Sequence, residues 1–486
     1  MIIVVIKGPT FTDVYQQIAK IRAYKNVKEE IAIELRLDMM PSWDIKAISM
    51  LRSECDIPMI FTLRNRSQGG SYQGSESERL EDIRRLAALK PEYLDIEHDV
   101  PSDFIQDISK HYPTIKIILS HHDCSKTPQD LDGIYQNMRK TPASFYKIAV
   151  LAQDTLDALR FVCWAKQKGP QLIAISMGPH GQISRLIGHM TYAPIDLDQQ
   201  TAPGQLSLKT LLERRRYPST NIYGLIGDPV EHSISDDTHN HWMNSSNINA
   251  CYVKFQVSPN QLAQFFAYAK QLPIKGLSVT MPLKEHVMPF LTSIDPQAKQ
   301  IGAVNTLCLK KDQIIGFNTD CIGALNAVEK VITVKGKRIV MLGAGGAAKA
   351  IAYEAHKRGA LLTILNRNVD RAQQMAQQFQ GVGKGLHQMA ECASAGYDIL
   401  INCIPIPMPI SPEHLLPQAI IMDTKTKPKE TELIKHARAK GCQIVHGYEM
   451  FFEQAIGQFC LWFSDRAGSS ESRQILEDQV LAVLEY

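Results

Sequence analysis

The stretch Arg338-Ile-Val-Met-Leu-Gly-Ala-Gly-Gly-Ala-Ala348 decides the fold of the half of the chain around it. An apolar strand, Arg338–Leu342, runs straight into a glycine cluster, and helical spacing continues over Ile351–Arg358. Glycine-rich loops also serve plain turns, so the context matters. A strand precedes this one, a helix follows, and a further strand at Leu361–Leu365 ends in Asn366-Arg367-Asn368. That order is a βα dinucleotide-binding unit, in which the glycines let a pyrophosphate approach the helix N-terminus. Gly343, Ala344, Gly345, Gly346 and Ala347 are its expected phosphate cradle. An NAD site would place a carboxylate on the ribose roughly twenty residues past the glycines. This chain has Asn366 and Arg367 there, with Arg371 one helical turn on. No carboxylate repels a 2′-phosphate and two guanidiniums can receive it, so the expected cofactor is NADP(H).

Upstream lie four short polar clusters, each closing an apolar run. They are Tyr223-Gly-Leu-Ile-Gly-Asp-Pro-Val-Glu-His-Ser-Ile-Ser235, Leu277-Ser-Val-Thr-Met-Pro-Leu-Lys284, Gly302-Ala-Val-Asn-Thr306 and Gly316-Phe-Asn-Thr-Asp-Cys-Ile-Gly323. Any one of them reads equally as a capped turn. Jointly they offer hydroxyls and amides for a polyol, plus Lys284 and Asp320. Hydride transfer to a ketone needs a proton donor for the developing alkoxide, and an Asp beside a Lys can tune one.

Further upstream, the charged, Pro-containing stretch Glu213-Arg-Arg-Arg-Tyr-Pro-Ser-Thr220 reads as a linker. Before it, short β-branched runs alternate with amphipathic stretches such as Glu78–Leu89 and Thr155–Lys168. The expected strands are Ile2–Ile6, Ile31–Leu35, Pro58–Leu63, Tyr93–Glu97, Ile115–Ser120, Phe145–Val150, Leu172–Met177 and Thr191–Ile195. Eight strands with helical crossovers in this length fit a (β/α)8 TIM barrel. The run Ile33-Glu-Leu-Arg-Leu-Asp38 alternates strictly, so one strand face is apolar and the other charged. In a barrel the apolar face meets the helices, and Glu34, Arg36 and Asp38 point into the lumen or over its mouth. Asp95, Glu97 and Arg64 repeat the theme at other strand ends. Lys147 sits inside the apolar run Ser144–Val150. It is either a lysine snorkelling from a strand end or an amine tuned as a nucleophile toward ketones. His121-His122-Asp123 follows a strand and reads either as ordinary packing or as an acid/base.

Composition bounds the partners. The chain has 486 residues, with Lys+Arg 53 against Asp+Glu 50, a formal net charge of +3. That balance argues against a polyanion binder. A hydrophobic share of 44% and a charged share of 21% describe an ordinary folded protein. No apolar run approaches the roughly 18 residues of a membrane span. The run Ile2–Ile6 is too short for a secretory signal, and a cytoplasmic enzyme is expected. None of the ten cysteines forms a CxxC pair, so reduced thiols are expected, with neither disulfides nor a metal site.

The first half carries, in order, Glu34-Leu-Arg-Leu-Asp38, Pro58-Met-Ile-Phe-Thr-Leu-Arg64, Leu94-Asp-Ile-Glu97, Ile118-Leu-Ser-His-His-Asp123, Tyr146-Lys-Ile-Ala-Val150, Ile175-Ser-Met-Gly-Pro-His-Gly-Gln-Ile-Ser-Arg185 and Ala202-Pro-Gly-Gln205. This series resembles a type I 3-dehydroquinate dehydratase. The resemblance implies that Lys147 forms a Schiff base with the substrate ketone and that His122 moves the protons. It implies that Glu34, Arg36, Arg64, Arg185, Thr201 and Gln205 hold the substrate, with Arg185 paired to its carboxylate. The chain departs from the family at Gln68, where a glutamate is usual, and at Thr201, where a serine is usual. A glutamine cannot offset an imidazolium charge, so a less basic His122 is expected.

The clusters of the second half, with Gly447-Tyr-Glu-Met-Phe-Phe-Glu-Gln454, resemble shikimate dehydrogenase. The resemblance implies Lys284 and Asp320 as the catalytic pair. It places Ser233, Ser235, Thr280, Asn305 and Gln454 on the substrate and Gly447 at the cofactor. Departures are Ser278, Pro407 within Asn402-Cys-Ile-Pro-Ile-Pro-Met408, and Thr426 in place of a tyrosine. They bear on turnover and substrate range rather than on fold. The order of halves resembles the fused dehydratase–dehydrogenase of plants and some bacteria, in which one product is the next substrate. The expected organisation is a barrel over 1–212, a linker over 213–220, a substrate lobe over 221–330, a Rossmann-type NADP lobe over 331–464 and a helical tail over 465–486. Two other readings stay open to the same residues. One is a metabolite-binding regulator without turnover, and the other is a second half acting on quinate.

Overall fold

Runs of β-branched residues in the first half form eight strands in the computed structural model, which describes residues 1–24, 30–215, 219–464 and 469–485. They are β1 (Ile2–Ile6), β2 (Ile31–Arg36), β3 (Met59–Thr62), β4 (Tyr93–Glu97), β5 (Lys116–Asp123), β6 (Phe145–Leu151), β7 (Leu172–Met177) and β8 (Thr191–Ala193). Every ladder between them is parallel, and β1 pairs with both β2 and β8. The sheet therefore curls into a nearly closed barrel, and the β7–β8 ladder alone is missing among the described residues. Its place is partly taken by Gly178, whose N–H donates to the Pro203 carbonyl at 3.0 Å. Helices cross over between strands. Two start at capping boxes, Thr10 with Asp13 and Ser75 with Glu78.

The two-residue period of the strands builds the lumen. Ala32, Ile60, Tyr93, Ile118 and Met190 belong to one buried cluster. Two residues further along their strands stand Glu34, Thr62, Asp95, Ser120 and Tyr192, all buried. The same inward stripe thus turns from apolar to polar toward the C-terminal strand ends, where barrel enzymes build sites. Several strand bounds differ from the sequence reading by one or two residues, and the end of β5 differs by three. Strand β5 runs on through His121, His122 and Asp123, which pair with Ile148, Ala149 and Val150 of β6. The polar triplet reads as a loop by composition, and ladder pairing overrides it.

The second half contains two sheets. The first has β9 (Asn221–Gly227), β10 (Ala250–Gln256), β11 (Ile274–Val279), β12 (Ser293–Ile294), β13 (Thr306–Lys310) and β14 (Gln313–Phe317), in the order β10-β9-β11-β13-β14-β12. It mixes parallel and antiparallel pairs. The second has β15 (Arg338–Leu342), β16 (Leu361–Asn366), β17 (Val382–Gly385), β18 (Ile399–Asn402), β19 (Ile420–Asp423) and β20 (Gln443–Val445). All five of its ladders are parallel, and its order β17-β16-β15-β18-β19-β20 reverses direction at β15. That reversal is the switch point at which open α/β sheets bind ligands. Ile339 and Met341 of β15 enter one buried core, and Val340 and Leu342 enter another, so both faces of this sheet are covered.

The chain divides into two compact units. One is Met1–Asn221 with Asn249–Val253 and Ala267–Leu272, and the other is Ile222–Ile248, Lys254–Phe266 and Pro273–Tyr486. The expected linker over 213–220 falls partly on residues 216–218, and the expected turn of the tail on 465–468, both outside the described residues. The tail forms a helix, Ser470–Glu485, against helix Ser235–Ser245, where the Trp242 indole N–H donates to Ser472 Oγ at 2.8 Å. No described helix is long and apolar enough to cross a membrane.

Two candidate active sites

In the barrel, the polar stripe surrounds a cavity of about 140 Å³. Lys147, from the middle of β6, is 5% exposed and lines it. Its ammonium lies 3.1 Å from Asp95 Oδ2 and 3.6 Å from Glu34 Oε1. Arg64 meets the other Asp95 oxygen at 2.9 Å, and the Ser120 hydroxyl donates to that oxygen at 2.6 Å. Burial works to raise the Asp95 carboxyl. Arg64, Lys147 and the Ser120 hydroxyl outweigh it and hold Asp95 below the usual carboxylate range. Thr62 Oγ1 donates to Glu34 at 2.9 Å. Arg36 makes a two-pronged contact with Asp38, 2.8 Å on each prong.

His122 lines the same cavity, and its ring Nδ1 is buried without a hydrogen-bond partner among the described residues. Burial, then the positive charges of Arg64, Lys147 and Arg36, hold the imidazole well below its usual value of 6.5. The lowered basicity follows mainly from burial. Gln68 acts elsewhere, because its Oε1 accepts from the His122 backbone N–H at 3.0 Å rather than from the ring. Arg185, on helix Gln182–Ile187, is 1% exposed. It donates to the Tyr192 and Pro203 carbonyls at 3.1 and 3.5 Å, and it meets no carboxylate among the described residues. Burial lowers it to about 10. Gln205 Oε1 accepts from the backbone of Thr201 at 2.8 Å and of Ala202 at 3.2 Å, which shapes the loop at the cavity rim.

The second unit holds a larger cavity, about 1010 Å³, walled by both of its sheets. Lys284 donates to Asp320 Oδ2 at 2.5 Å, and Asn305 Nδ2 donates to Asp320 Oδ1 at 2.8 Å, so both carboxylate oxygens are held. Asp320 opens helix Asp320–Glu329, where the helix dipole also favours its charge. Ser233 donates to Ser235 at 2.9 Å, and both line the cavity with Thr280 and Gln454. Gln454 Oε1 lies 3.4 Å from Asn305 Nδ2. Ser278 donates to Gln458 Oε1 at 2.9 Å.

Opposite stand Gly345, Gly346 and Ala347 at the start of helix Gly346–Lys357, which no side chain caps among the described residues. A Cβ on Gly345 would meet nothing within 4 Å. Free N–H groups over open space form an anion site, so these residues fit a dinucleotide phosphate. Arg371 and Gly447 also line this cavity. Gly343, Ala344, Asn366 and Arg367 do not. Gly343 makes the turn itself at φ 105°, its N–H donating to Leu365 O at 2.8 Å. The Asn366 side chain donates to Asn368 O at 3.0 Å, and Arg367 is exposed. Thr426 is in the wall and Pro407 is outside it. The sequence reading missed Asp423, a wall carboxyl raised by burial despite bonds from Thr431, Lys425 and Asn402. It also missed Tyr192, whose ring lies under Lys147 Nζ at 3.8 Å.

Three family models match the chain. They are the type I 3-dehydroquinase over residues 2–220, the shikimate dehydrogenase substrate binding domain over 225–307, and the shikimate/quinate 5-dehydrogenase over 326–433. The shikimate biosynthesis protein AroDE of Chlamydia pneumoniae is 36% identical over 477 residues, 96% of either chain. The chloroplastic bifunctional 3-dehydroquinate dehydratase/shikimate dehydrogenase of Arabidopsis thaliana is 34% identical over 463 residues, 88% of this chain and 76% of its own. A solved shikimate dehydrogenase in complex with NADP+ is similar with a TM-score of 0.51 at 34% identity, over 56% of this chain and 99% of its own. With family models matching each half and two relatives that run through both, the chain belongs to the family of fused 3-dehydroquinate dehydratase/shikimate dehydrogenases.

Proposed function

We propose that the barrel dehydrates 3-dehydroquinate to 3-dehydroshikimate and that the second unit reduces this product to shikimate with NADPH. A lysine buried between two carboxylates and over an imidazole-lined cavity carries the first half of this reading. Lys147 passes a proton to Glu34 and adds to the ketone carbon, and Glu34 returns that proton to the carbinolamine hydroxyl, whose loss as water leaves an iminium. The iminium acidifies the neighbouring carbon. His122, neutral because burial and cations keep its basicity low, takes that proton. Its imidazolium is then a strong acid and gives the proton to the departing β-hydroxyl, which leaves as water. Hydrolysis of the imine frees Lys147 and 3-dehydroshikimate. Arg185, buried without a counter-ion among the described residues, would pair with the substrate carboxylate.

In the second unit NADPH, when bound, supplies a hydride to the ketone. Lys284, fixed by Asp320, protonates the oxygen as charge develops on it. Ser233, Ser235, Thr280, Asn305 and Gln454 would hold the hydroxyls and carboxylate. The wall at Gly345, Gly346, Ala347, Arg371 and Gly447 would hold the dinucleotide. In this reading residues 1–212 are the dehydratase, 213–220 the linker, 221–330 the substrate lobe, 331–464 the nucleotide lobe and 465–486 a tail. The setting is cytoplasmic, and the partners are small molecules rather than nucleic acid or membrane. Purified protein given 3-dehydroquinate should oxidise NADPH and accumulate shikimate, and borohydride added with 3-dehydroquinate should fix an adduct on Lys147. Folded protein that leaves NADPH untouched refutes the reading, and an adduct on another lysine refutes the Schiff-base assignment.

A further inference from the structure

The buried polar groups of the barrel cavity fall into two sets. Glu34 is bonded by Thr62, Arg36 by Asp38, Arg64 by Asp95 and Ser120, and Gln205 by the Thr201 backbone. Three other lining residues keep a buried polar atom with no partner among the described residues: His122 Nδ1, Arg185 Nε and the Tyr192 hydroxyl. The first two already face the substrate in the dehydratase reading. An unpartnered buried donor is costly and is normally completed by a ligand or water. Tyr192 is 4% exposed, and its ring centroid lies 3.8 Å from Lys147 Nζ.

We propose that Tyr192 is a further working residue of the dehydratase: its ring face positions the Lys147 cation, and its phenol donates a hydrogen bond to an oxygen of the bound substrate. The inference rests on the dehydratase reading above. The phenol acts as a donor, because burial, with Glu34 and Asp95 nearby, keeps it protonated. The ring serves each cationic stage, ammonium and iminium alike, since its negative face attracts both.

Tyr192→Phe keeps the ring and removes the donor, whereas Tyr192→Leu removes both. Reduction of added 3-dehydroshikimate by the same chain measures the folded concentration of each variant. Tyr192→Phe should raise KM for 3-dehydroquinate about tenfold, the scale of one lost ligand hydrogen bond. It should leave borohydride trapping on Lys147 intact at saturating substrate. Tyr192→Leu should also lower kcat and slow borohydride trapping on Lys147 at saturating substrate, because the ammonium and the iminium lose their π face. Tyr192→Phe with wild-type kinetics overturns the phenol role, and Tyr192→Leu with wild-type kcat and trapping rate overturns the ring role. Wild-type chain that neither turns over 3-dehydroquinate nor forms the Lys147 adduct overturns the dehydratase reading itself.

Discussion

At the scale of single residues, His122 shows how position sets chemistry. The β5–β6 ladder fixes its backbone, Gln68 holds its N–H, and its ring is left to the cavity. A base must be unprotonated to work. An imidazole held below 6.5 stays unprotonated as pH falls through 6.5, so kcat/KM for 3-dehydroquinate should remain flat there and fall only in more acid solution. Gln68→Glu places a negative charge beside this histidine, favours its protonated form and should move the acid limb to higher pH. An unmoved limb in the pH profile of that variant would show that the histidine does not sense the charge. Lys147 was legible in the sequence because a charged residue inside an apolar strand breaks the pattern. Tyr192 was not. A tyrosine in a strand is ordinary, and only barrel curvature brings β8 beneath the lysine of β6.

Among elements, helix Gly346–Lys357 joins the two walls of the larger cavity. The sequence reading placed helical continuation at Ile351, because glycines are poor helix formers. The helix begins five residues earlier, at Gly346, and Ala348 and Ile351 anchor its first turns in the core. The two glycines at its start differ in what surrounds them. A Cβ on Gly346 would come within 2.9 Å of Lys284 Cβ, whereas one on Gly345 meets nothing within 4 Å. Gly346→Ala should therefore push Lys284 away from Asp320 and lower kcat for 3-dehydroshikimate reduction about tenfold, the cost of a misplaced proton donor. Gly345→Ala has room in the protein, so the substitution can only crowd what binds there. It should raise KM for NADPH while leaving kcat and the urea midpoint unchanged. Steady-state kinetics on the two variants separates these effects, and a Gly345→Ala enzyme with unchanged KM would remove the phosphate from that loop.

Across the whole molecule, the alternation of strand and helix along each half was legible, and so was their order, because period and punctuation are local properties of the sequence. The docking of the C-terminal helix was not legible. An amphipathic tail announces that it needs a partner without naming one, and only the fold brings Ser472 to the Trp242 indole. The near-neutral net charge of +3 is likewise an average over locally paired groups such as Arg64 with Asp95 and Lys284 with Asp320. The fusion joins two reactions through a small acid that must leave one cavity and enter another. Free diffusion suffices for this, and mixing separates it from transfer within one chain. Lys147→Ala should block NADPH oxidation from 3-dehydroquinate but not from 3-dehydroshikimate, and Lys284→Ala should block both. An equal mixture of the two variants should recover NADPH oxidation from 3-dehydroquinate after a lag, since each supplies the site the other lacks. A mixture that stays silent while each retained activity is normal would mean that 3-dehydroshikimate passes only between the sites of one chain.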